Sequence, residues 1–217
     1  MAFPTTSVLE NFTGTDGTTP PNSNWTNKIL DFTALSGIKI DVNQAAKNTT
    51  AYGNDAYYNV STYGPDSEAY VTVPNIPAVN AEQIVLFARL NSIGSGTTTG
   101  YALIVGHDGT AFRLWRLYKI AAGGFNLQIG SNTLQSVAAG DGVGLEIIGS
   151  TLTGYWKSGA GAYASVLSGT DSTYTTAGNI GFQEAATSSL GVIRLDNFGG
   201  GTYAGGTAKT GIGIIGP

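Results

Sequence analysis

VIRLDNFGGG, residues 192–201, repeats a pattern that also occurs near the other end of the chain, as VLENFTG at residues 8–14. In both stretches an acidic residue, an Asn and a Phe follow apolar residues, in a chain with only 11% charged residues. Short apolar runs that end in Gly-rich turns are typical of β-strands. We therefore expect a sandwich whose first and last strands lie side by side, with Glu10 and Asp196 at comparable positions.

Strand-like runs also fill the chain between these two stretches. They are rich in Tyr, Val, Ile and Thr, alternate between apolar and polar residues, and are broken by Gly, Asn, Asp or Pro. Clear examples are GIKIDVN (37–43), QIVLFARL (83–90) and AFRLWRLYKI (111–120). We predict an all-β chain of about a dozen strands in two antiparallel sheets, a jelly-roll sandwich, with almost no helix. PAVNAEQI (77–84) is the best helical candidate, and it is short.

The composition is typical of a folded domain and excludes several classes of protein. Apolar residues make up 41% and aromatic residues 10% of the 217 residues, which favours a packed core over disorder. The net charge of −4 leaves no basic surface for nucleic acid, and no apolar run is long enough to predict a membrane span. The chain has no cysteine, which excludes disulfides and thiolate metal sites. Because the first residues lack the pattern of a secretion signal, we expect synthesis in a host cytoplasm without secretion.

The last residues differ in composition from the rest of the chain. We assign residues 1–199 to a single jelly-roll domain and residues 200–217 to a Gly-rich C-terminal arm. A Gly-rich terminal segment is mobile unless it docks on another surface. The arm carries four residues that would make such a contact, Tyr203, Ile212, Ile214 and Ile215. The arm therefore predicts an assembly contact, either with another protein or within a homo-oligomer.

Five stretches of the chain resemble the concanavalin A-like lectin/glucanase superfamily, in the laminin-G-like jelly-roll form found in phage structural proteins. They are ENFTGTDGTTPPNSNWT (10–26), YGPDSEAYVTV (63–73), AAGDGVGLEIIGSTLTGYWKSG (138–159), DSTYTTAGNIGF (171–182) and RLDNFGGGT (194–202). The ordered set covers nearly the whole chain. The resemblance implies a jelly-roll sandwich with one concave sheet, and often a calcium ion near the paired ends of the chain.

Glu10 and Asp196 are the candidate calcium ligands. Two neighbouring carboxylates repel each other unless a cation or a hydrogen-bond network offsets their charge. Calcium suits such a pair because it accepts carboxylate and backbone carbonyl oxygens in flexible geometry. The alternative is that both are ordinary strand charges, with Arg194 as a partner.

Catalytic residues are not evident. Glucanases of the resembling superfamily carry three carboxylates spaced E-x-D-x-x-E on one strand, and this triplet is absent here. The nearest pair is Asp66 with Glu68, which follows a turn, and Glu146 stands alone on its predicted strand. His107 is the only histidine, in a predicted turn without a nucleophile. We expect no enzymatic activity.

A sugar site is the remaining candidate, because aromatic faces stack on pyranose rings and polar side chains bind their hydroxyls. Alternation along AFRLWRLYKI places Arg113, Trp115 and Lys119 on one face of a strand, and a later strand adds Tyr155. We predict these four residues as a glycan platform. The alternative is that Trp115 is a core residue.

Two functions follow from these observations. The first is a virion surface protein, a phage capsid decoration protein with a lectin-like fold, held on other virion proteins of capsid or tail by its terminal arms. The alternative is a carbohydrate-binding module whose partners include cell-surface glycans.

Overall fold

Fifteen strands and no helix occur in the part of the chain that the computed structural model describes, residues 2–27, 29–30, 37–49, 53–76, 82–185 and 193–205. The strands are β1 (Val8–Glu10), β2 (Trp25–Asn27), β3 (Ile38–Asp41), β4 (Gln44–Lys47), β5 (Gly53–Tyr58), β6 (Ser67–Asn75), β7 (Gln83–Asn91), β8 (Thr99–His107), β9 (Phe112–Ala121), β10 (Gly124–Leu134), β11 (Asp141–Ile148), β12 (Thr151–Lys157), β13 (Ala164–Thr170), β14 (Asn179–Ala185) and β15 (Arg194–Thr202). Residues 77–81 of the helical candidate lie outside the described residues, and residues 83–84 begin β7.

The strands form two antiparallel sheets, which confirms the predicted sandwich. The eight-stranded sheet has the order β13-β12-β11-β6-β15-β4-β3, with β1 also paired to β15. The seven-stranded sheet has the order β10-β9-β8-β7-β14-β5-β2. Alternate residues of both sheets meet in one core, because successive side chains of a strand point to opposite faces.

The two motifs at the ends of the chain meet as predicted. β1 pairs with β15, with Val8 opposite Gly199 and Glu10 opposite Phe198. Phe12 and Phe198, the aromatic residues of the two motifs, are both fully buried around Trp25. Their rings lie 5.7 and 5.0 Å from the Trp25 ring, in tilted and edge-to-face contacts that stabilise aromatic clusters.

The last strand runs beyond the predicted domain boundary at residue 199. β15 continues to Thr202, and Gly200 and Gly201 pair with Ala69 and Glu68 of β6. Both glycines have a φ near +150°, which other residues rarely adopt. The first three residues of the predicted C-terminal arm, residues 200–202, therefore belong to β15.

Tyr203 follows that strand on the surface of the domain itself. Its N–H donates to the carbonyl oxygen of Asp66 at 2.9 Å. The other predicted arm residues, Ile212, Ile214 and Ile215, lie outside the described residues.

A buried guanidinium joins the loops at one end of the sandwich. Arg89 of β7 donates to the carbonyl oxygens of Pro65, Gly149 and Tyr174, in three different connections. Asp66 lies 3.5 Å from the same guanidinium. These bonds satisfy a charge that would otherwise be costly to bury.

Three buried charged side chains, Lys47, Glu82 and Glu184, lie at the ends of β4, β7 and β14. Burial raises the pKa of Glu82 to about 7, and the Lys47 ammonium only partly offsets this. Burial also raises the pKa of Glu184 well above its usual range, against the opposing effect of Lys47. Burial therefore shifts both carboxyl groups toward their neutral forms in the folded chain.

We expect Glu82 to make folding stability depend on pH. A carboxyl whose pKa is higher in the folded than in the unfolded state contributes its full stability below about pH 4.5, and loses it as pH rises through about 7. Glu82→Gln should match the parent at pH 4 and exceed its free energy of unfolding by about 2 to 3 kcal/mol at pH 8. Denaturant unfolding at both pH values measures this, and a variant less stable than the parent at pH 8 would contradict it.

Candidate functional site

Glycines form the floor of a trough on the outer face of the eight-stranded sheet. Gly142 and Gly144 lie on β11 and Gly199 on β15. A Cβ added to Gly144 would come within 2.3 Å of the Phe3 ring, and one on Gly199 within 2.1 Å of the Tyr70 ring. A Cβ on Gly142 would come within 2.5 Å of the Tyr163 hydroxyl. The three glycines therefore let aromatic rings lie directly against the backbone.

Four aromatic rings occupy this trough. Phe3 stacks on Tyr155, with ring centroids 4.2 Å apart and planes within 2° of parallel. Tyr70 and Tyr163 meet the Phe3 ring edge-on, at 6.2 and 5.0 Å. Strands β6 and β12 supply Tyr70 and Tyr155, and the β12–β13 connection supplies Tyr163. Phe3 comes from the segment before β1, so the cluster is built from four separate elements of the chain.

A cavity of about 500 Å³ opens beside these rings. Its walls combine aromatic faces with hydrogen-bonding groups and are made by Ala2, Phe3, Pro4, Val8, Tyr70, Thr72, Lys157, Gly161, Ala162, Tyr163 and Asn197. The Lys157 ammonium lies 5.2 Å from the centre of the Tyr163 ring, a cation–π distance. Such a mixture of apolar walls and a few polar groups is typical of small-ligand sites.

The tyrosine hydroxyls of the cluster are neutral donors at physiological pH. Burial raises the pKa of Tyr70 to about 12 and also raises the pKa of Tyr163. Burial and the bond to Glu146 raise the pKa of Tyr155 to about 12.

A second groove, of about 480 Å³, lies on the other side of Tyr155 between β12 and β13. Hydroxyl groups dominate its walls, which are made by Thr151, Thr153, Tyr155, Ser165, Val166, Leu167 and Ser168. Tyr155 therefore separates an aromatic cavity from a hydroxyl-rich groove on one continuous sheet face.

Two carboxylates face each other across β6 and β11 in the same region. The strand register places Glu146 directly opposite Glu68. Glu146 is 8% exposed and accepts the Tyr155 hydroxyl at 3.0 Å. Burial raises the pKa of Glu146, and the neighbouring charge of Glu68 adds to this effect.

Glu68 is fully buried and its two oxygens are both in use. They accept the N–H and hydroxyl groups of Thr5 and Thr6, at 2.9 to 3.2 Å. A paired carboxylate centre is what glycoside hydrolysis requires. In this conformation both oxygens of Glu68 accept hydrogen bonds from Thr5 and Thr6 of the same chain. The expectation of no enzymatic activity stays a prediction.

The predicted glycan platform does not assemble. Trp115 is 0% exposed, and its indole N–H donates to the Gln135 carbonyl oxygen at 2.7 Å inside the sandwich. Arg113 pairs with Asp108 of the adjoining turn, and the Lys119 ammonium lies 3.8 Å from Asp171. Tyr155 belongs to the other sheet.

The placement of Trp115 as a surface residue was wrong for a physical reason. Arg113 and Lys119 lie near the two ends of β9, where a long side chain on the inner face still reaches the rim. Trp115, between them, lies in the core, and its only polar atom finds a backbone acceptor there. Charged neighbours on one strand face therefore do not make that face external.

Glu10 and Asp196 lie on paired strands but not opposite each other: Glu10 is opposite Phe198, and Asp196 is opposite Thr72 of β6. The Glu10 carboxylate accepts the Phe12 N–H at 2.9 Å and the Asn22 side-chain amide. Asp196 accepts the N–H of the next residue, and burial raises its pKa. Arg194 pairs with Asp41, at 2.8 Å. No group of three His, Cys, Asp or Glu side chains suited to a metal ion occurs among the described residues, whereas calcium takes six to eight oxygens.

Comparison with known proteins shows the fold. No protein-family model and no curated protein matches the chain. The solved structures that resemble it include the potassium-bound Emp46p carbohydrate recognition domain, with a TM-score of 0.63 and 10% identity over 90% of this chain and 95% of that one. The carbohydrate binding module CBM66 from Bacillus subtilis has a TM-score of 0.54 and 15% identity, over 82% and 94%. The VIP36 exoplasmic/lumenal domain, in a form bound to Ca²⁺ and Man3GlcNAc, has a TM-score of 0.56 and 10% identity over 82% of each chain.

These likenesses confirm the concanavalin A-like lectin fold that the sequence resemblance implied. Within the described residues, no helix is both long and apolar enough to cross a membrane.

We expect Trp115→Ala to act on stability and not on ligand binding. Loss of a fully buried Trp should lower the free energy of unfolding by about 3 to 5 kcal/mol. Urea unfolding measures this cost. A variant that keeps the parent's stability but loses glycan retention would instead restore Trp115 as a surface platform.

Calcium should not change the stability of the chain, because the carboxylates of Glu10 and Asp196 already accept internal hydrogen bonds. Thermal unfolding in excess calcium and in excess chelator should give midpoints that agree within the error of the method. A midpoint several degrees higher in calcium would contradict this reading of the paired ends.

Proposed function

We propose that this chain binds glycans on the outer face of its eight-stranded sheet, in the cavity beside the aromatic rings that cover Gly142, Gly144 and Gly199. The observation that carries the proposal is the cavity in which Tyr70 and Tyr163 stand beside Lys157, Thr72 and Asn197. The glycines let these aromatic rings lie flat against the sheet, and the rings of Phe3, Tyr70 and Tyr163 form part of the cavity wall.

The groups that line the cavity match the chemistry of a sugar. A pyranose ring has an apolar C–H face that packs on aromatic rings, and its edge carries hydroxyls that both donate and accept hydrogen bonds. Lys157 donates, while Thr72 and Asn197 both donate and accept. The Tyr163 hydroxyl adds a further donor.

The comparisons support this proposal at the level of fold. Three structures with this fold are described as a carbohydrate recognition domain, a carbohydrate binding module and a domain in a Man3GlcNAc-bound form. Because one fold hosts many functions, the side chains of the trough carry the argument for this chain.

The predicted virion-surface role, with capsid or tail proteins as partners, stays a prediction. It rests on the resemblance to phage structural proteins and on the terminal arm, whose residues 206–217 lie outside the described residues. A glycan-binding domain on the surface of a virion would combine the two predicted functions, virion surface protein and carbohydrate-binding module. Calcium binding stays a prediction; a Ca²⁺-bound domain with this fold supports it, whereas the internal hydrogen bonds of Glu10 and Asp196 do not.

The paired substitution Lys157→Met and Thr72→Val tests the proposal. Both changes keep side-chain bulk while removing the ammonium and the hydroxyl from the cavity wall. Screening the parent on a glycan array, and then titrating the best-bound glycan, should show affinity at least tenfold weaker in the variant, because a bond to a charged donor contributes about 1.5 kcal/mol or more.

Leu127→Ala is the matched control, since Leu127 is 51% exposed on the edge strand of the other sheet. It should bind as the parent does. A parent that binds no glycan on the array, or a double variant that binds as well as the parent, would contradict the proposed site.

A further inference from the structure

Residues 2–6, here named the strap, cross the outer face of the eight-stranded sheet at an angle to its strands. Thr5 and Thr6 bind Glu68 of β6, and Phe3 covers Gly144 of β11 and stacks on Tyr155 of β12. The strap thus spans three neighbouring strands on the face that carries the cavity.

The contacts of the strap have the form of sugar contacts. Its one aromatic ring lies flat on Tyr155, at 4.2 Å, which is where a pyranose ring would stack. Its two neighbouring hydroxyls, from Thr5 and Thr6, donate to different oxygens of the Glu68 carboxylate, each at 2.9 Å. Adjacent hydroxyls of a sugar ring present the same pair of donors to a carboxylate.

The strap is held by side chains of the sheet, while the β1 ladder begins only at Val8. The N–H groups of Thr5 and Thr6 donate to Glu68, and the Thr6 carbonyl oxygen accepts the Tyr70 hydroxyl at 2.9 Å. The Thr5 hydroxyl oxygen also accepts the Ala204 N–H. Release of the strap would therefore leave the strand pairings of the sheet in place.

We propose that the strap is a displaceable internal ligand that competes with glycan for the face of the eight-stranded sheet. This inference rests on the proposed function. Ala2, Phe3 and Pro4 of the strap are walls of the aromatic cavity, so displacement would widen that cavity. It would also uncover Tyr155, Glu68 and Glu146 and would open the cavity toward the hydroxyl-rich groove between β12 and β13. The joined site spans three strand spacings from β6 to β13, about 14 Å.

The joined site sets the class of ligand. Its floor offers aromatic faces, a carboxylate pair and several hydroxyls, which match a neutral oligosaccharide with adjacent free hydroxyls. A single sugar fits the cavity beside the strap, whereas a longer chain needs the strap to leave. A tethered competitor lowers the apparent affinity by the fraction of time the site is closed.

Thr5→Val with Thr6→Val tests the strap in the full-length chain. The substitution is nearly isosteric and removes both hydroxyl bonds to Glu68 while leaving Phe3 in place. Thr13→Val is the matched control, because Thr13 is exposed and is not among the residues that line the cavity. Phe3→Ala provides an independent second variant should the double substitution fail to fold.

Two probes read the result. Hydrogen exchange of the amides of residues 5 and 6 should be at least tenfold faster in the strap variant than in the parent or the control. A synthetic peptide, Ala-Phe-Pro-Thr-Thr-Ser, copies residues 2–7 and should bind the variant at least tenfold more tightly than the parent, since the parent's site is occupied. Equal exchange rates, or no peptide binding by either folded variant, would overturn the proposal.

A glycan array on the same proteins separates this inference from the proposed function. Tenfold tighter retention of oligosaccharides by the strap variant supports both. If the variant binds the peptide but no glycan, the strap is displaceable as proposed and the proposed glycan recognition is wrong. Equal glycan retention by parent and variant would refute competition while leaving the glycan site standing.

Discussion

The pairing of β1 with β15 is the constraint on which the rest of the structure depends. It joins the two ends of the described chain in one sheet and buries Phe12 and Phe198 against Trp25. It also fixes where residues 2–6 leave the sheet edge, so that they pass over β6, β11 and β12. The core and the candidate site are therefore organised by the same contact.

The candidate site is produced by missing side chains as much as by present ones. Gly142, Gly144 and Gly199 remove Cβ atoms from the outer face, and Phe3, Tyr70 and Tyr163 lie in the space that remains. Across this floor, Glu68 accepts hydrogen bonds from four donors of the strap, while burial raises the pKa of Glu146. Two facing carboxylates coexist because their surroundings differ.

Much of the fold could be predicted from the sequence, because period-two alternation and Gly-rich turns are local signals. The pairing of the terminal strands that carry Glu10 and Asp196 was also predicted, but the register places Glu10 opposite Phe198 and not opposite Asp196. The hydrogen bonding of these two carboxylates was not predicted, because it depends on which donors each one meets. The donors to Glu10, the Phe12 N–H and the Asn22 side-chain amide, come from the loop after β1. Trp115 was placed wrongly because alternation separates two strand faces without saying which faces the other sheet.

The trough was missed because Phe3 has no local signal and its partners are 67 to 160 residues away; only the alternating glycines before Glu146 mark it in the sequence.

The most direct test of the central claim is to map a bound glycan by amide chemical shifts in the ¹⁵N-labelled chain. The account predicts that the largest shifts fall on the outer face of the eight-stranded sheet, at Gly142, Gly144, Thr72 and Lys157. Shifts confined to the seven-stranded sheet, around Arg116 and Tyr118, would contradict it.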